Sequence, residues 1–136
     1  MSGSYFKHLC RYRCGNYTSA RDWEFSFDVA DLDNDRLFIK TELLPQLIQM
    51  IQDGRAKLPP VTLLTHNSDI NITSHIANYV LSSLDIVEWY AQNLNFVHPK
   101  IRSLPIGIAN PKWEHGSTLR FNKIIARSNK VDDRRC

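Results

Sequence analysis

The chain has no run of roughly eighteen apolar residues, and polar, charged sequence follows Met1, Ser2, Gly3 and Ser4. The sequence therefore predicts neither a membrane span nor a signal peptide. Cysteine is scarce: Cys10, Cys14 and Cys136 form an odd set that fits neither a disulfide framework nor a four-ligand zinc pattern. A reducing, cytoplasmic setting is the expectation. There is no glycine-rich phosphate loop, no G-x-S-x-G elbow and no H-E-x-x-H pair, and the five histidines do not cluster, so no bound metal is expected. Asp31, Asp33 and Asp35 alternate like the opening of a calcium loop but lack its glycine and distal glutamate, and read as a solvated turn. Charge of one sign is also lacking. The net charge of +3 arises from 17 basic and 14 acidic residues, and the excess gathers in Lys7, Arg11, Arg13 and residues 127–135. No continuous basic patch results, which argues against nucleic acid as a partner. Asn16 and Asn71 stand in N-glycosylation patterns, which matter only in a secreted protein.

What is present is an ordinary globular composition. At 136 residues, 43% hydrophobic and 10% aromatic, the chain can bury the core of one domain without disulfide or metal staples. Residues 1–22 mix aromatic and basic types without periodicity and read as an arm or hairpin. Residues 23–116 read as the α/β domain, and residues 117–136 as a C-terminal helix, through Leu119, Phe121, Ile124 and Ile125, with a polar tail. No internal repeat is evident.

Within the domain, WEFSFDV at 23–29 alternates apolar and polar residues as a half-buried strand does. Leu37, Phe38 and Ile39 form a short apolar run. Leu43, Leu44, Leu47, Ile48 and Ile51 then repeat at helical spacing, with Thr41 as a candidate N-cap and Gly54 just past the end. After Pro59 and Pro60 the run Val61, Thr62, Leu63 and Leu64 suits a strand buried on both faces of a parallel sheet. Ile76, Ala77, Val80, Leu81 and Leu84 place a helix over 73–84, and strands follow at 86–90 and 101–108. Strands alternating with helices imply right-handed crossovers and a mainly parallel sheet covered on both sides, a Rossmann-like three-layer α/β domain.

In such sheets ligands bind beyond the carboxyl ends of the strands, where loops and helix N-termini converge. That rule selects Thr65, His66, Asn67, Ser68 and Asp69, the densest polar cluster in the chain. His66 and Asp69 are the candidate catalytic groups; Thr65, Asn67 and Ser68 are candidate ligand contacts. A plainer reading has Asn67, Ser68 and Asp69 build a turn and cap the next helix. Gln92 and Asn93 offer paired amides after the third strand of the βαβ series, or serve only as its exit. Gly107 and Asn110 follow the last strand, where Gly107 permits either a close backbone approach or a bend.

The motifs LTHNSD at 64–69, WYAQN at 89–93, HPK at 98–100 and LPIGIAN at 104–110 together resemble the amino-terminal half of exostosin-like glycosyltransferases of large DNA viruses and microbes. The likeness covers roughly residues 36–116. It implies one half of a GT-B fold, no bound metal, and a cleft lined by His66, Asn67, Asp69, Gln92 and Asn93, among which a carboxylate or imidazole acts as general base on an acceptor hydroxyl. A nucleotide-sugar donor would enter with a second domain or partner subunit. The length leaves room for one of the two domains, so the expectation is a truncated or split glycosyltransferase that binds a sugar or glycan, as a homo-oligomer or with a partner. The alternative is a non-catalytic α/β interaction module that docks a protein through the arm at 5–17 and the C-terminal region. A third reading is a small nucleotide-binding or hydrolytic enzyme using His66 and Asp69.

Overall fold

A computed structural model of the chain describes residues 3–17 and 23–105. A short helix α1 (Gly3–His8) precedes β1 (Tyr12–Tyr17), β2 (Trp23–Val29) and β3 (Arg36–Lys40). A 3₁₀ turn (Thr41–Leu43) leads into α2 (Leu44–Gln52), and β4 (Val61–His66), α3 (Ser74–Ser83), β5 (Ile86–Ala91) and β6 (Ile101–Ser103) follow. The six strands form one sheet in the order β2-β1-β3-β4-β5-β6. β1 and β2 pair antiparallel, and every other neighbouring pair is parallel. This is the α/β, Rossmann-like class that the sequence predicts.

The sheet advances one strand at a time from β3 to β4 to β5, so right-handed crossovers put α2 and α3 on the same face. Packing agrees: Leu44, Leu47 and Ile48 of α2 and Ala77 and Val80 of α3 share one core with Leu37, Ile39, Leu63, Trp89 and Ile101. The other face carries a smaller cluster, where Phe6 of α1 joins Cys10, Phe38, Leu64 and Tyr90. A fully buried Leu, Ile or Phe contributes roughly 1.5–3 kcal/mol, so the first face supplies most of the stability.

The residues read as an arm or hairpin turn out to supply an inner strand. β1 lies between β2 and β3, with Tyr12, Arg13 and Cys14 in register with Leu37, Phe38 and Ile39. Its pairing with β2 slips between Cys14 and Asn16, where Gly15 takes φ 93, a left-handed value that a side chain resists. Arg13 of β1 is held by nearby backbone carbonyls. Arg13 Nε donates to Cys10 O at 2.8 Å, and the Arg11 backbone N–H just before the strand donates to Asn34 Oδ1 at 3.2 Å.

At α2 the sequence places the start too early and the end correctly. Thr41 opens the 3₁₀ turn and its side chain caps nothing, while Pro45 occupies the first turn of α2. Gly54, at φ 73, terminates the helix as expected. The last strand ends at Ser103, and Gly107, Asn110 and the helix expected after residue 117 lie outside the described residues.

Candidate functional site

The carboxyl ends of β3, β4 and β5 come together because their register is continuous: Lys40 pairs with His66, and Thr65 with Ala91. Thr41, the β4 loop from Asn67 and the β5 loop from Gln92 therefore lie along one edge. Asn67 and Asn93 both adopt left-handed backbone, at φ 61 and φ 57, which asparagine tolerates better than most residues. Each loop turns away from its strand at that residue.

Two of the predicted ligand contacts hold the loop from beneath. Gln92 Nε2 donates to Ser68 O at 3.1 Å, and Asn93 Nδ2 donates to the same carbonyl at 2.7 Å. Gln92 Oε1 accepts from the Asn67 backbone N–H at 2.9 Å. Ser68 is buried, and its hydroxyl accepts from Ile70 N at 3.0 Å, closing a tight turn. Thr65 is fully buried on the α2/α3 face, where its Oγ1 accepts from Trp89 Nε1 at 2.9 Å. The cap of α3 is Thr73, whose hydroxyl accepts from Ile76 N at 3.3 Å, so the residues 67–69 are not needed for capping. Asp69 is exposed at the rim.

His66 occupies the centre of this edge at 3% exposure, on the α1 face, with the Phe6 ring 5.4 Å from its own. Its Nδ1 lies 2.8 Å from Asn67 N and 3.0 Å from Asn67 Oδ1. Its Nε2 is buried without a partner, and so is the neighbouring Asn67 Nδ2; Thr41 Oγ1, at the adjacent strand end, is a third such atom. A buried polar atom without a partner costs about 1–3 kcal/mol, and three of the four such side-chain atoms among the described residues lie along this edge, Arg11 Nε being the fourth.

Comparison with protein-family models, with curated proteins and with solved structures finds no match to this chain. The site is therefore read from its own geometry. Among the described residues no group of three or more His, Cys, Asp or Glu side chains is arranged to hold a metal ion, and no helix is long and apolar enough to cross a membrane.

The sequence missed two contributors. Phe6 reaches His66 from the start of the chain, and its signal was hidden because α1 is one and a half turns long. Thr41 was read as a helix cap when it is a buried residue of the edge. Phe6 also borders an apolar pocket of about 290 Å³ farther down the same face, between Leu9, Thr62, Leu64, Tyr90 and Leu104. Beside it Glu88 accepts from Arg102 Nε at 2.6 Å and from the Tyr90 hydroxyl at 2.9 Å, and these bonds hold its carboxyl below the usual range.

Proposed function

We propose that the chain is a glycosyltransferase-like domain that binds a sugar or glycan acceptor at the carboxyl edge of its sheet. The observation that carries this reading is the unpartnered pair of His66 Nε2 and Asn67 Nδ2, backed by Thr41 Oγ1. An imidazole nitrogen, a side-chain amide and a hydroxyl are all groups that hydrogen-bond sugar hydroxyls. The resemblance of the motifs at 64–69 and 89–93 points the same way. On this reading His66 is the group to take a proton from an acceptor hydroxyl, with Asn67 and Thr41 as contacts, and Gln92, Asn93 and Ser68 as supports. A nucleotide-sugar donor belongs to a second domain or partner subunit. Titration with monosaccharides, short glycans and nucleotide-sugars, followed by melting temperature and tryptophan fluorescence, tests the proposal. A ligand at about a hundred times its Kd stabilises by roughly 2.7 kcal/mol. The absence of any shift with every sugar would sink it, as would an undiminished shift in His66→Ala.

A non-catalytic interaction module is the second reading, favoured by β2. Its seven residues form an edge whose outer side is unpaired among the described residues, and such edges accept added strands. A chain that stays monomeric over a wide concentration range and retains no partner strand would count against it.

A further inference from the structure

We infer that the pocket on the α1 face is a binding site for a small apolar molecule carrying a carboxylate, with the carboxylate on Arg36 and the apolar body on Leu64 and Tyr90. This site is separate from the edge at His66 and does not depend on the sugar-binding reading.

The pocket follows from how unequally the sheet is covered. On one face α2 and α3 pack along the central strands, while on the other the described residues supply only the six-residue α1. Strand register sets the side chains of this second face in two rows: Arg36, Thr62 and Glu88, then Phe38, Leu64, Tyr90 and Arg102. Phe6 packs on the Phe38 and Leu64 cluster, and Leu104 follows β6 on the far side of β5. Thr62, Leu64 and Tyr90 are left between them as a floor. The space is about 290 Å³, near the lower end of the ~300–1,000 Å³ range of small-molecule sites, which suits a compact ligand. Leu9, in its lining, is 39% exposed, so an apolar occupant would take apolar surface out of water.

Charge selects the polar end of the occupant. Glu88, beside the pocket, is matched by Arg102 Nε at 2.6 Å and by the Tyr90 hydroxyl at 2.9 Å. Arg36 lines the pocket, and its guanidinium has no ion pair among the described residues. Burial raises the Cys10 thiol and the bond to Glu88 raises the Tyr90 hydroxyl; in both the Arg36 charge works against the rise, so the guanidinium stands within reach of both side chains on this face. Its paired N–H groups match the two oxygens of a carboxylate, and the Thr62 hydroxyl supplies a further donor at the floor. A cationic ligand meets repulsion from Arg36, and a wholly polar one leaves the Phe6, Leu64 and Leu104 walls without apolar contact.

Titration of the full chain with butanoate, hexanoate and octanoate, below the concentrations at which they aggregate, tests the inference by ¹H–¹³C methyl spectra. Shifts are expected at Leu9, Leu64 and Leu104, with affinity rising by a factor of about four per methylene until the pocket is full. Octylammonium should bind more weakly than octanoate. Arg36→Gln should weaken octanoate by about twofold to fivefold, the range for an exposed ion pair, and leave octanol unchanged. Leu9→Trp, which fills the pocket from its rim, should abolish the shifts at Leu64 and Leu104, while unmoved Leu47 and Val80 methyls show that either variant keeps the α2/α3 core. Absence of shifts at these leucines, affinity independent of chain length, or undiminished binding in Leu9→Trp overturns the site. Octylammonium binding as tightly as octanoate, or octanoate binding unchanged in Arg36→Gln, overturns the choice of a carboxylate.

Discussion

Trp89 Nε1 donates a 2.9 Å hydrogen bond to Thr65 Oγ1 across the β4–β5 pair, with both side chains fully buried. The bond places Thr65 in the core, one residue before the edge where His66 lies. It also separates two roles that the sequence had joined in one polar cluster.

Replacement of Thr65 tests that separation. Thr65→Val keeps the shape but leaves the Trp89 N–H unpaired, at a cost of about 1–3 kcal/mol. Thr65→Ser should lose far less. Urea unfolding midpoints measure both, and ligand affinity of the folded fraction should not change. A Thr65→Val chain as stable as the wild type would show that the bond contributes nothing.

The capping of α3 gives a second contrast. Thr73→Ala removes the acceptor for Ile76 N and should cost about 1 kcal/mol. Asp69→Asn, at an exposed rim position, should leave thermal stability unchanged within error. If Asp69→Asn were the more destabilising of the two, the loop at 67–69 would have a capping role after all.

The buried thiols predict an alkaline limit to stability. Burial pushes Cys10 up to about 11 and Cys14 up to about 12 from an ordinary value of 9.0. Because the folded values are raised, the folded state keeps protons that the unfolded chain releases above pH 9. Stability is then full below pH 9 and falls as pH rises toward 11 and 12, by roughly 1.4 kcal/mol per unit for each thiol. Denaturant midpoints measured from pH 8 to 11 should decline, and Cys10→Ala with Cys14→Ala should flatten the decline. In the native state at pH 8, alkylation of both thiols should be slow compared with the unfolded chain.

Much of the fold was legible in the sequence because it depends on local pattern. WEFSFDV alternates with period 2 and forms β2 over the residues expected; the apolar repeats at 43–51 and 76–84 locate α2 and α3; and Val61 to Leu64 reads as the buried strand that β4 is. The polar loop after β4 could be singled out for the same reason: a buried parallel strand has to end, and a run of hydrogen-bonding side chains follows it.

What the sequence did not carry are relationships between distant residues. Nothing local in residues 12–17 says that they insert between β2 and β3, since that depends on parallel pairing with Leu37 to Ile39. The amides of Gln92 and Asn93 looked free for a ligand, and only tertiary folding turns them onto the backbone of Asn67 and Ser68. The sequence by itself determined the order of strands and helices from β2 to β5 and the chemical character of the loop after β4, because burial and periodicity are written residue by residue. The tertiary structure alone decided which of that loop's groups are spent on holding it and which, at His66 and Asn67, remain without a partner, because a hydrogen bond across 25 residues leaves no trace in the local pattern.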